Sequence, residues 1–243
     1  MRWLEPLPVR RIRRAADADL PDDQWPLTMG PVRQLLRDGL ELGRVTILVG
    51  ENGTGKSTLV EAIAMAFGMP GEGGSTGAMH ASYPSESPLH EALTIERGPG
   101  GSRWGYFLRA ETTHGLFTYL ALNPGARDPD FHRFSHGESF LAMLSSGRFR
   151  GDGFFVMDEP EAGLSFSAQL ALIGQLHGFA QARSSQVLIA THSPVLASIP
   201  GARILELDES GYHEREWADL EVVDHYRRFL DQPQRYLRHV VDA

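Results

Sequence analysis

The segment Gly50-Glu51-Asn52-Gly53-Thr54-Gly55-Lys56-Ser57-Thr58 carries the most readable chemistry in this chain. Its Gly-x4-Gly-Lys-Ser spacing suits a loop whose main-chain N–H groups turn inward around the oxygens of a phosphate chain. Lys56 is the one lysine among 23 Lys and Arg residues. An ammonium is a compact point charge with three donors and fits among phosphate oxygens. A planar guanidinium is too wide for a tight loop. On this reading Lys56 reaches β- and γ-phosphates and the Ser57 hydroxyl holds Mg2+. The plain alternative is a glycine-rich turn that only caps a helix.

A second constellation is Phe154-Phe155-Val156-Met157-Asp158-Glu159-Pro160-Glu161, an apolar run that ends in adjacent acids. A strand end would set Asp158 beside the phosphate loop, where it can hold a Mg2+ water. Glu159 would then face the γ-phosphate and take a proton from attacking water. Alone, the pair also fits a solvated acidic loop. Val187-Leu188-Ile189-Ala190-Thr191-His192-Ser193-Pro194 is a further apolar run ending in a histidine. His192 either hydrogen-bonds the γ-phosphate or the water, or serves structure alone. The candidate catalytic residues are therefore Lys56, Glu159 and His192, and the candidate metal ligands Ser57 and Asp158. With a single lysine, neither the base-reading Asn-Lys-x-Asp of GTPases nor the separate lysine of protein kinases can exist.

The elements that must position these residues follow from periodicity and punctuation. Val45–Val49 is rich in branched residues and reads as a buried strand, and Lys56–Phe67 as a helix with Leu59, Ile63 and Phe67 on one face. Strands are expected at Val9–Arg14, Phe154–Met157, Val187–Ala190 and Arg203–Leu207. Helices are expected at Pro31–Leu40, Gly137–Leu144, Ser165–Ala182 and Glu221–Leu230, with Glu111–Leu122 leaning towards helix. Leu93–Arg97 and Trp104–Arg109 resemble a hairpin around Gly98-Pro99-Gly100-Gly101-Ser102. Phe166, Leu170, Leu172, Ile173 and Leu176 are expected in the core. Strands alternating with helices predict an α/β fold with a mainly parallel sheet covered on both faces.

Bulk properties bound the rest. The 243 residues suit one large domain, and 42% hydrophobic with 22% charged residues predicts a globular core. Absence of cysteine excludes disulfides and Cys-ligated zinc, and no apolar run is long enough to cross a membrane. No secretory signal is expected at Met1–Arg14, so a cytoplasmic location without membrane insertion is expected. A net charge of −8 argues against generic nucleic-acid binding and leaves direct binding through a local patch open. Val9–Arg14 is the dense basic run and reads mainly as a partly solvated strand. Metal ligation by His132 and His136 lacks a third ligand. Arg227, Arg228, Arg235 and Arg238 are expected to face solvent.

Phe134-Ser135-His136-Gly137-Glu138-Ser139 precedes an apolar helix and forms a capping box through Ser135 and Glu138. It also resembles a variant of the Ser-Gly-Gly-Gln signature of ATP-binding-cassette ATPases. Phosphate loop, signature, Asp-Glu and histidine occur in the order of that family across nearly the whole chain. The resemblance is closest to stand-alone bacterial ATPases of the recombination/repair-like ABC branch. It rests on Ser-His-Gly-Glu-Ser, Asp-Glu-Pro-Glu, Thr-His-Ser-Pro and the C-terminal segment Gln234–His239.

The resemblance implies a P-loop NTPase fold of ABC type over residues 1–243. About 68–150 would form an insert with a small antiparallel part and a short helical subdomain carrying the signature. It implies ATP and Mg2+ as ligands, bound by residues Gly50 to Thr58. It also implies an ATP-sandwiched homodimer in which Ser135 and Gly137 contact the γ-phosphate of the other subunit. The family's glutamine near Mg2+ is missing, since no Gln lies between Gln34 and Gln169, and a residue in 71–82 is expected to substitute. Ala162-Gly163-Leu164-Ser165 lacks the aspartate that reaches across such dimers. Trp25 lies upstream of the phosphate loop, where adenine stacking competes with a core or loop role. Alternative readings are the nucleotide-binding subunit of a transporter, or an ATP-gated scaffold for a DNA- or nuclease-related partner. An unidentified protein partner stays open.

Overall fold

A computed structural model describes residues 5–18, 24–76, 87–109, 141–142, 144–145 and 151–241. In chain order the first elements are β1 (Arg11–Arg14), α1 (Gly30–Asp38), β2 (Leu40–Glu41), β3 (Val45–Gly50), α2 (Lys56–Phe67) and β4 (Gly74–Ser75). Next come β5 (Leu93–Glu96), β6 (Gly105–Arg109), β7 (Phe154–Asp158), α3 (Phe166–Ala180) and β8 (Gln186–Thr191). The chain then forms β9 (Arg203–Leu207), β10 (Tyr212–Arg215), α4 (Glu221–Asp231) and α5 (Pro233–Val241).

Seven strands form the main sheet in the order β10-β9-β3-β8-β7-β6-β4. Its five central strands, β9 to β6, run parallel, and β10 and β4 pair antiparallel at the two edges. Strands β2, β1 and β5 form a separate antiparallel sheet. Alternation along the central strands feeds two cores, because successive side chains point to opposite faces. Ile47, Val49, Phe155, Met157, Val187 and Ile189 pack on one face with Leu172 and Leu176 of α3. Leu48, Phe154, Val156 and Leu188 pack on the other with Leu59 and Ile63 of α2, Leu35 of α1 and Ile12 of β1. Each large side chain fully buried this way contributes about 1.5–3 kcal/mol. Among the described residues no helix is long and apolar enough to cross a membrane.

Buried Gln186 ties the two sheets together at the start of β8. Its amide donates to Val9 O (2.7 Å) and Gly43 O (2.8 Å) and accepts from Val9 N (2.8 Å).

Two expectations are corrected. The predicted hairpin does not form: β5 pairs with β1 in the small sheet, whereas β6 lies parallel to β7 in the main one. Gly98 and Gly101 pack closely against the backbone of residues 5–7, and only Gly100 has open space around it. Gly98 N donates to Leu7 O, and a Cβ at Gly98 would sit 2.3 Å from Glu5 O. Phe166 and Leu170 are 65% and 49% exposed rather than core, while Leu172 and Leu176 are buried and Ile173 is partly so. Helix α3 meets the sheet along one stripe, and its apolar positions are more numerous than that stripe can cover. The predicted helix at Glu111–Leu122 lies outside the described residues. Of Gly137–Leu144, only residues 141, 142 and 144 are described, and they are helical.

Candidate functional site

The C-terminal ends of β3, β7 and β8 lie side by side, so the three motif loops emerge at one edge of the sheet. That edge is where parallel α/β sheets carry their ligands.

Residues Gly50 to Thr58 run from the end of β3 into α2. Gly55 adopts φ 94°, a left-handed conformation that glycine takes without strain, and precedes a helix with no side-chain N-cap. The first N–H groups of α2 are therefore left for an external acceptor, and the helix dipole favours an anion there. Thr54 Oγ1 donates to Glu51 O at 2.9 Å and tightens the loop. Lys56 is 4% exposed, and its ammonium donates to Gly50 O and Glu51 O, each at 2.8 Å. Burial pushes its pKa down to about 8, against the pull of the Glu159, Asp158, Glu161 and Glu51 carboxylates.

Ser57 Oγ donates to Asp158 Oδ1 at 3.0 Å, which joins the loop to the end of β7. Glu159 has φ 51°, the one described non-glycine residue with positive φ. Its N–H donates to Ala190 O (2.9 Å), pinning the turn to β8, and left-handed strain of this kind collects at functional sites. Glu159 Oε1 stands 3.1 Å from His192 Nε2. A cleft of about 330 Å3 is lined by Lys56, Ser57, Thr58, Glu159 and His192 among others, with Trp25, 60% exposed, beside them. The structure thus brings Gly50–Thr58, Asp158, Glu159 and His192 together. Ser135 and Gly137, like His132 and His136, lie outside the described residues.

Sequence reasoning missed three polar residues around this cleft. Arg109 ends β6 directly opposite Asp158 in the strand register. Its Nη1 donates to Glu61 Oε2 (2.6 Å) and Gly71 O (3.1 Å), and its Nε lies 3.8 Å from Asp158 Oδ2. A charge at the end of the apolar run Tyr106-Phe107-Leu108 was the available signal. Glu161 accepts from Thr191 and from the main chain after it, and Gln169 accepts from Ser193 Oγ at 2.6 Å. The four C-terminal arginines singled out above are exposed, with Arg228 paired to Asp224 and Arg227 over the Trp217 ring.

Comparisons with known proteins find partial matches to nucleotide-binding families. A family model described as "AAA domain, putative AbiEii toxin, Type IV TA system" matches residues 116–198, and an "AAA domain" model matches residues 39–95. The zinc import ATP-binding protein ZnuC of Vibrio cholerae is 26% identical over 159 residues, which cover 65% of this chain and 60% of ZnuC. ZnuC of Photobacterium profundum is 28% identical over 161 residues, 63% of this chain and 60% of the relative. The chain thus spans about 60% of the length of these curated relatives. Among solved structures, cbiO1 of Clostridium perfringens, part of an ABC transporter complex, aligns over 84% of this chain and 89% of its own. The TM-score is 0.45 and the identity 15%. In sequence the chain is thus similar to ABC ATP-binding proteins over part of their length, and to AAA-domain models over residues 39–95 and 116–198.

Proposed function

We propose that this chain binds Mg-ATP in the cleft beside α2, hydrolyses it, and works through a homodimer that closes on the nucleotide. The observation that carries this reading is the hydrogen bond from Ser57 Oγ to Asp158 Oδ1, 3.0 Å long. It sets a hydroxyl from the phosphate loop against a carboxylate from a strand far away in sequence.

Hard oxygen donors suit Mg2+, which is held by one or two protein groups plus phosphate oxygens. Ser57 and Asp158 supply such a pair, and no cage of three or more His, Cys, Asp or Glu side chains occurs among the described residues. When bound, Mg2+ neutralises charge on the β- and γ-phosphates. Lys56 would exchange its two carbonyl partners for phosphate oxygens. The free N–H groups of α2 would hold the phosphate chain. Glu159 would orient a water and accept its proton, which is worth about 10²–10⁴ in rate. His192 would fix that water or the γ-phosphate from the other side. Ser135 and Gly137 of a second copy would complete the site.

The test pairs two variants. Glu159→Gln protein should elute as a dimer with excess Mg-ATP and as a monomer without it. Lys56→Ala protein should stay monomeric and lose retention of a fluorescent ATP analogue. A Glu159→Gln protein that remains monomeric at saturating Mg-ATP would remove the dimer from this reading, and unchanged retention by Lys56→Ala would remove the nucleotide site.

The names of the relatives favour a second reading, the nucleotide-binding subunit of a transporter. Co-purification of the tagged chain with a polytopic membrane protein in detergent would support it. Full turnover and dimerisation by the purified chain alone would count against it.

A further inference from the structure

We propose that Glu161 is a positioning residue: one of its carboxylate oxygens clamps the segment Thr191-His192-Ser193 and thereby sets His192 against Glu159. The inference rests on the reading of His192 and Glu159 as parts of one hydrolytic site.

Glu161 Oε1 accepts from Thr191 Oγ1 (2.5 Å), from His192 N (2.8 Å) and from Ser193 N (3.2 Å). A single oxygen thus gathers the hydroxyl at the end of β8 and the N–H groups of the two residues after it. Hydrogen bonds to an ionised acceptor are short and strong, and three on one atom leave little freedom to the loop they hold. The other oxygen, Oε2, is buried and has no hydrogen-bond partner among the described residues. The clamp is therefore one-sided: all of the described pairing of this carboxylate goes to the histidine segment.

Position along the chain gives the clamp its meaning. Glu161 follows Glu159 by two residues, and Ala162 N and Leu164 N donate back to Glu159 O and Glu161 O in two successive turns. The strained Glu159 backbone and the His192 backbone are thus tied to one short stretch, and the His192 Nε2–Glu159 Oε1 distance of 3.1 Å is set from both ends. Ser193 adds a second tie through Gln169, whose amide also donates to Leu164 O at 3.2 Å. Glu161 itself makes no described contact with the phosphate loop. Its hydrogen-bonded route to the cleft passes through His192, and its charge adds a longer-range pull on the Lys56 ammonium.

The experiment compares Glu161→Ala, Glu161→Asp and Glu161→Gln in the full chain, alone and in a His192→Ala background. Glutamine keeps an acceptor at the same reach without the charge, whereas aspartate keeps the charge but falls short. Alanine and aspartate variants should lose about 10- to 100-fold in kcat, the equivalent of the lost acceptor, with KM for ATP within about twofold. The glutamine variant should stay within about threefold of the native kcat. In the His192→Ala background, Glu161→Ala should cost nothing further, because residues acting through one another are non-additive. Amide exchange supplies a readout that needs no turnover: the His192 and Ser193 N–H groups should exchange at least about tenfold faster in the alanine and aspartate variants. If native protein shows no ATPase, the proposed function fails while amide exchange still judges the clamp. Unchanged exchange, full additivity with His192→Ala, or an aspartate variant more active than the glutamine one would overturn the proposal. The aspartate variant carries the test if alanine at this position does not fold.

Discussion

The phosphate loop and the carboxylate–histidine segments border one cleft and are built in opposite ways. The phosphate loop is contiguous: Gly50 to Thr58 supply the turn, the helix start and the lysine, and Lys56 is satisfied by two carbonyls of its own loop. The other side is assembled from three distant stretches, around residues 109, 158–161 and 191–193, joined by side-chain bonds across the sheet. Main-chain groups and a helix dipole suit binding of a fixed charge, whereas side chains from separate strands can be tuned singly for chemistry. Binding and turnover should therefore separate cleanly between the two regions.

The largest expected effect tests that separation. Glu159→Gln should lower turnover by about 10²–10⁴ while ATP affinity stays within about twofold. Lys56→Ala should instead weaken ATP binding by about 10- to 100-fold, the value of lost hydrogen bonds to a charged group. Equilibrium binding and steady-state rates on both proteins decide the matter. Loss of affinity in both variants alike would erase the contrast.

Arg109 sharpens the comparison, because it sits between the two regions. Its guanidinium faces Glu61 on α2 and Asp158 on β7, all three with side chains less than 20% exposed. Replacing it with Gln would leave two half-buried carboxylates near one another. Removing one member of a buried pair costs about 3–5 kcal/mol, and partial exposure puts the expectation here near 2–3 kcal/mol. Urea unfolding of Arg109→Gln measures it. A loss below about 0.5 kcal/mol would mean that solvent already screens this cluster.

What could be read from the sequence divides along the same line. Strands β3, β7, β8 and β9 and helices α2 and α3 were legible because apolar period and glycine punctuation are local signals. The hairpin expectation failed because strand propensity does not say which sheet a strand joins; β5 and β6 both read as strands but take different partners. Strands β2, β4 and β10 were missed because two are only two residues long and the third, Tyr212-His213-Glu214-Arg215, is an edge strand with no apolar alternation. Phe166 and Leu170 carry an apolar pattern that cannot show where the covering sheet ends. Around the cleft, Asp158, Glu159 and His192 announced themselves as polar residues closing apolar runs. Glu161 and Gln169 gave no comparable signal, since their partners lie in a segment that only folding brings close.

Strain at Glu159 yields a smaller effect of opposite sign. A non-glycine residue in the left-handed region costs about 1–2 kcal/mol, partly offset by the greater chain entropy that glycine loses on folding. Glu159→Gly should therefore raise stability by up to about 1 kcal/mol while abolishing turnover. Thermal unfolding in the absence of nucleotide measures the gain. A destabilised Glu159→Gly protein would show that the carboxylate, through its contact with His192, stabilises the fold by more than the strain costs.

The last effect is a fraction of a proton. Burial lowers the Lys56 pKa from 10.5 to about 8. For folding, the sign runs against stability. As pH falls below 10.5 the unfolded chain takes up a proton before the native one does. The penalty is complete below about pH 8 and vanishes above 10.5. For binding, the sign reverses, because phosphate oxygens around the ammonium favour its charged form and raise the pKa again. Nucleotide binding should then take up about 0.1 proton at pH 7 and about 0.9 at pH 9, and affinity should fall roughly tenfold per pH unit above 8. Calorimetry in buffers of different ionisation enthalpy reads the proton count directly. An uptake near zero at pH 9 would place the loop lysine in contact with water in the empty protein. The phosphate loop would then be no more desolvated than the half-exposed Glu159 and His192 that face it.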